Sequence, residues 1–228
     1  MSWRQDQKAD RFFRLAKTEG YRARSAYKLL EITNKYKLFR PGQTVLDLGA
    51  APGSWSQVAY QQVGPKGKVV AVDLQPIETL PGVASLVGDI RDAEVQRQIK
   101  ELLGGKANLV LSDMAPSSTG IVVADQTRAI ELAQVALATA LRSLKPGGAF
   151  VVKVFRGEGY GEFMAEMRAH FAKVNAMIPR ATREESREAF VVGRDFQGAG
   201  APAETTVKTE KRHHPNARII SQAPPEGW

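Results

Sequence analysis

Residues 45–55, VLDLGAAPGSW, decide the fold of the chain. Thr44, Val45, Leu46 and Leu48 make an apolar strand that carries one acid, Asp47. The strand breaks into Gly49-Ala50-Ala51-Pro52-Gly53, and a run with helical character, Ser54 to Val63, follows. Glycine tolerates positive φ and puts no side chain in a ligand's way. The helix start beyond it offers free N–H groups and a partial positive charge. Asp73 stands 20 residues after Gly53, at the end of the next apolar run, Val69–Val72. An acid at that point of a βαβ unit accepts from ribose hydroxyls. Strand, small-residue turn, helix and acid together predict a nucleoside-containing ligand on a doubly wound sheet.

The type of ligand follows from what the turn lacks. The dinucleotide fingerprint G-x-G-x-x-G is absent, which disfavours an NAD-binding oxidoreductase. An acid inside the strand, Asp47, suits a ligand bearing cationic groups. S-adenosylmethionine carries an ammonium and a sulfonium and no pyrophosphate, so it is favoured over a dinucleotide.

Working outward, apolar strands are predicted at 44–48, 68–73, 83–87, 108–111, 149–155, 173–178 and 188–194. Helices are predicted at 54–63, 92–103, 127–144 and 160–170. No helix separates the last two strands, so they should pair as an antiparallel hairpin. The expected fold is α/β: an open, mostly parallel seven-stranded sheet with an antiparallel edge hairpin and helices on both faces. Ahead of it, Ser25 is placed to cap a helix through Tyr36, and Arg11–Lys17 could form a helical turn within a basic arm. From residue 197 the composition turns to Ala, Pro, Thr and Glu with little periodicity, which predicts a flexible tail. The expected divisions are therefore 1–40, a basic RNA-binding arm and helix; 41–195, the α/β domain; and 196–228, the tail.

Charge is unevenly placed. Residues 1–40 hold 11 Lys and Arg against 4 Asp and Glu, whereas residues 41–195 hold 17 of each. The basic segment also carries Trp3, Phe12, Phe13, Tyr21, Tyr27, Tyr36 and Phe39. Cations interleaved with aromatics suit RNA or single strands, and a solvated helix with its aromatics in the core fits equally well. The chain has no cysteine, which excludes disulfides, thiolate metal sites and cysteine nucleophiles. Three histidines, His213 and His214 adjacent, leave little scope for a metal, and none is expected. No apolar run approaches the ~18–20 residues of a membrane span, and the N-terminus has no secretory apolar region. A cytoplasmic protein without membrane contact is expected.

Several polar residues sit where an apolar sheet should not have them. Asp73, Asp89 and Asp113 each follow a strand at its C-terminal end, the edge where open α/β sheets bind ligands. Asp73 would take a ribose and Asp89 an adenine amino group. Lys153 interrupts the strand VVKVF, and a buried ammonium must find carboxylates or lose its proton. Asp113 ends the neighbouring strand. Glu188, at the start of an antiparallel strand beside 149–155, begins at the same rim and can approach Lys153.

DLGAAPGSWSQV (47–58), SDMAPSSTG (112–120), FVVKVFRGEGY (150–160) and SREAFVV (186–192), with RARSAYKL (22–29) ahead, resemble the FtsJ/RrmJ (RlmE) family of ribosomal RNA large subunit 2′-O-methyltransferases. The resemblance runs from about residue 10 to 195. It implies a Rossmann-like class I methyltransferase fold and S-adenosylmethionine as cofactor. It implies a catalytic set of Lys28, Asp113, Lys153 and Glu188, and cofactor contacts from Gly53, Trp55, Asp73, Asp89 and Asp113. It implies a uridine of 23S rRNA in the large ribosomal subunit as substrate, and no metal. Ser54 departs from the glycine common after APG in bacterial members, and the extension beyond 196 has no counterpart. A monomer is expected. The same residues also fit methyl transfer to another RNA, such as tRNA or a cap, and a non-catalytic RNA-binding ribosome-assembly factor.

Overall fold

The computed structural model describes residues 3–116, 120, 122–183, 186–198 and 218–221. Two helices come first, α1 (Trp3–Thr18) and α2 (Ala26–Tyr36). The α/β part follows: β1 (Thr44–Leu48), α3 (Ser54–Val63), β2 (Lys68–Asp73), β3 (Val83–Val87), α4 (Ala93–Leu103), β4 (Ala107–Ser112), α5 (Val122–Ser143), β5 (Leu144–Phe155), α6 (Tyr160–His170), β6 (Phe171–Met177) and β7 (Glu188–Phe196). A short strand, β8 (Arg218–Ser221), comes last.

The sheet order is β6-β7-β5-β4-β1-β2-β3-β8. β5, β4, β1, β2 and β3 run parallel, and β7 is antiparallel to both β5 and β6. The seven expected strands are present, with the hairpin where it was expected. The eighth strand was not expected: β8 lies antiparallel along β3, with Arg218 opposite Val87. An unpaired edge of backbone N–H and C=O groups is a template for any extended segment, and four residues of the supposed tail occupy it. Of the supposed tail, Phe196 ends β7, and residues 199–217 and 222–228, His213 and His214 included, lie outside the described residues. The basic arm also differs from expectation, since residues 3–18 form one continuous helix.

Side chains alternate across a strand, and both faces of the parallel strands are buried. One face (Leu46, Leu48, Val70, Val72, Val110, Val152) packs under α4, α5 and α6. The other (Val45, Val69, Ala71, Leu109, Leu111, Val151, Phe190) packs under α2 and α3. After β1 the chain winds outward through β2 and β3, then returns to the other side of β1 as β4. That reversal opens a crevice at the C-terminal ends of β1 and β4, the usual ligand site of such sheets.

Candidate active site

The alternation that buries Leu111 and Val151 under α2 and α3 also fixes where the polar residues go. Asp47, Asp73, Lys153 and Glu188 fall on that same face of β1, β2, β5 and β7, and Asp113 continues it one step beyond β4. Lys28 enters from α2, which covers the face. Residues scattered over the sequence thus meet at one rim.

The four candidate catalytic residues form two ion pairs. Lys153 Nζ donates to Asp113 Oδ1 at 2.9 Å and to the Asp113 carbonyl at 2.6 Å. Lys28 Nζ donates to Glu188 Oε1 at 2.5 Å. Between 9 and 18% of each of these side chains is exposed, so both pairs are largely shielded from water. Glu188 was expected to reach Lys153. The register puts Glu188 opposite Phe155 and Phe190 opposite Lys153, so Glu188 meets Lys28 instead. The Lys28 ammonium also stands 5.7 Å from the centre of the Phe190 ring, within cation–π range. Thr182 Oγ1 donates to Glu188 Oε1 at 3.3 Å.

The glycine loop is held from several sides. Gly49 (φ 72°) and Gly53 (φ 106°) adopt left-handed backbone. A Cβ on Gly49 would come 2.4 Å from Met114 Cγ, and one on Gly53 would come 2.8 Å from an Arg22 guanidinium nitrogen. Arg22 donates to the carbonyls of Pro52, Glu78 and Thr79, which straps the loop to the one after β2. Asp73 accepts from Ala51 N through Oδ2 and from Gln75 N through Oδ1. Asp89 chelates the Arg91 guanidinium, and that bond holds the Arg91 pKa above its usual value.

Trp55 is 2% exposed. Its indole N–H donates to the Ser25 carbonyl at 2.9 Å, and its ring packs on Phe190. The indole is therefore committed to the core, and the group Trp55 can offer a ligand is its backbone N–H in the first turn of α3. Ser25 does not cap α2. Its backbone is already helical (φ −62°, ψ −19°), no side-chain cap bond forms, and its hydroxyl meets the Ser54 hydroxyl at 2.8 Å.

Asp47 departs furthest from expectation. It was assigned a cationic ligand, yet it is completely buried below the rim. Its Oδ2 accepts from Ser56 Oγ at 2.6 Å, and its Oδ1 has no partner among the described residues. Burial raises its pKa to about 7, against the Ser56 hydrogen bond, and Asp113 and Asp73 add to the rise. Sequence reading missed Ser56, Met114, Phe190 and the strapping role of Arg22. Only Arg22 left a signal, as a cation among others ahead of α2.

The arrangement offers carboxylates for hydroxyl and amine groups, free helix-start N–H groups for a carboxylate, and a shielded lysine beside them. That donor set fits an adenosyl amino acid. Among the described residues, no group of His, Asp and Glu is placed to hold a metal.

The profile of the FtsJ-like methyltransferase family matches residues 21–196. A Cellvibrio japonicus protein named ribosomal RNA large subunit methyltransferase E is 48% identical over 86% of this chain and 93% of its own length. A protein of the same name from Azoarcus sp. is 47% identical over 86% of this chain and 96% of its own. A solved Plasmodium falciparum structure, described as a ribosomal RNA methyltransferase, superposes with a TM-score of 0.71 at 28% identity, covering 78% of this chain and 100% of that one.

Proposed function

Because the chain belongs to the FtsJ-like methyltransferase family, we propose that it transfers a methyl group from S-adenosylmethionine to the ribose 2′-hydroxyl of a uridine in 23S rRNA of the large ribosomal subunit. The reading rests on one observation above the others: the Lys153–Asp113 and Lys28–Glu188 pairs share a rim and a sheet face with Asp73 and the glycine loop.

Asp73, Asp89, Asp113, the Gly53 turn and the Trp55 N–H would hold the donor, which supplies an electrophilic methyl group on a sulfonium. A 2′-hydroxyl is a weak nucleophile, and Lys153 in its free-amine form takes its proton. Asp113 fixes the position of that amine through two hydrogen bonds. Lys28, oriented by Glu188, faces substrate phosphate. General-base help of this kind contributes about 10²–10⁴-fold, and alignment of hydroxyl and methyl supplies much of the rest. The basic first forty residues complement the phosphates of a folded RNA.

The test is transfer of a labelled methyl group to isolated large subunits, followed by mapping of the label to a nucleotide. The expected result is one labelled uridine ribose in 23S rRNA. Transfer to tRNA or capped RNA in parallel reactions with none to the subunits, or wild-type transfer by Lys153→Ala, would overturn the reading.

A further inference from the structure

Asp47 has no task in the chemistry above, yet it is the one carboxyl in the middle of the site's foundation. It sits on β1 opposite Ala71 of β2 and Leu111 of β4. Asp73 and Asp113 lie two residues further along those strands, on the same face. Three carboxyls thus form a shallow triangle with Asp47 at its buried corner. The charged groups around it are Asp73 on β2 and Asp113 on β4, the latter bound to Lys153 of β5. On α3, directly overhead, it meets the Ser56 hydroxyl; the titratable side chain of that helix, Tyr60, packs against Gly82. Among the described residues no cation pairs with Asp47, and Oδ1 has no protein donor. A fully buried carboxyl in that setting favours its neutral form.

We propose that Asp47 sets the preference between the charged methyl donor and its neutral-sulfur product, by giving up a proton when the donor binds and regaining it once the methyl has gone. The inference rests on the reading of the donor as S-adenosylmethionine. A donor held at the rim, with its ribose on Asp73 and its amino-acid end towards Asp113, places the positive charge of its sulfonium above Asp47 and favours the ionised form of that carboxyl. The proton goes to solvent. Methyl transfer turns the sulfonium into a thioether, the attraction disappears, and a proton returns from solvent to Asp47. The product then sits above a neutral acid and gains nothing from it. Asp47 touches neither ligand in this scheme and acts through charge as a specificity residue.

The experiment is calorimetric titration of the full chain with S-adenosylmethionine and with S-adenosylhomocysteine, in buffers of different ionisation enthalpy. Donor binding should release protons at about pH 6 and few at about pH 8, and product binding should release fewer at both. The ratio of product Kd to donor Kd should rise at least ~3-fold over that range. In Asp47→Asn the ratio should be flat. Ser56→Ala removes a hydrogen bond that favours the ionised form, so it should move the rise to higher pH. A protonated-carboxyl infrared band that fades on adding donor, and persists on adding product, would support the assignment independently. Equal proton release by both ligands, or a wild-type slope in Asp47→Asn, would overturn it. Failure of S-adenosylmethionine to bind overturns the donor reading and this inference together.

Discussion

Phe190 stands directly opposite Lys153 across the β5–β7 ladder, and its ring lies 5.7 Å from the ammonium of Lys28. One aromatic residue thus spaces the two lysines of the site. It keeps each with its own carboxylate: Asp113 for Lys153, Glu188 for Lys28.

That division predicts different failures for the two pairs. Lys153→Ala should lower methyl transfer by about 10²–10⁴-fold while leaving the donor Kd within a few-fold of wild type. Asp113→Asn should lower transfer and also weaken donor binding, because the proposed function has Asp113 position Lys153 and take part in holding the donor. Single-turnover kinetics with a parallel binding titration separates the two effects.

Glu188→Ala leaves Lys28 shielded and unpaired. Removing one partner of a buried pair costs about 3–5 kcal/mol, and a pair still about a tenth exposed should sit at the lower end. The double variant Lys28→Met, Glu188→Leu should recover most of that stability without recovering activity. Urea denaturation midpoints and methyl transfer, measured side by side, test both statements.

The Asp47 carboxyl gives a pH dependence with a definite sign. Its folded pKa is raised to about 7, while in the unfolded chain it titrates in the ordinary carboxylate range. Between those values the folded state binds the extra proton, so this group's contribution to stability falls as pH rises. Asp47→Asn should therefore be more stable than wild type at about pH 8, by at least ~1 kcal/mol, with the advantage gone near pH 4. Thermal or urea unfolding across pH reads it. An advantage that grew toward acid would contradict the burial of an unpaired carboxyl.

Gly49 has left-handed backbone, and a Cβ there would come 2.4 Å from Met114 Cγ. Gly49→Ala should cost at least ~2 kcal/mol from backbone strain and overpacking together. Because Met114 follows Asp113, the displacement should also lower transfer. Gly20→Ala, also at positive φ but with open space around it, should show the strain alone and keep full activity.

How much of this was legible depended on how local the determining contacts were. The β1–turn–α3 unit declares itself in eleven consecutive residues, since its glycines, helix start and apolar strand all act within one turn of chain. Lys153 was conspicuous because an ammonium in an apolar strand needs a partner. Its carboxylate could be named from strand order alone. The partner of Glu188 could not, because it depends on the β7 register and on how α2 lies across the sheet. Ser25 looked like a cap by residue type, but its hydroxyl meets that of Ser54, 29 residues away. β8 left no periodic signal in four residues, and it is defined by the open edge of β3.

Lys28 and Glu188 are 160 residues apart in the chain. At ribosomal speeds of ~5–20 residues per second, roughly 8–30 s of synthesis separate them. A nascent chain that has been made through β4 as far as Asp113 carries the glycine loop and the acids proposed to hold the donor, yet it lacks Glu188 and Phe190. The two lysines are arranged only when β7 emerges and inserts between β5 and β6. About a third of the chain, from Asp113 to the end of β7, is therefore made after the residues proposed to hold the donor and before the two ion pairs can both be complete, so competence to transfer arises at one late step.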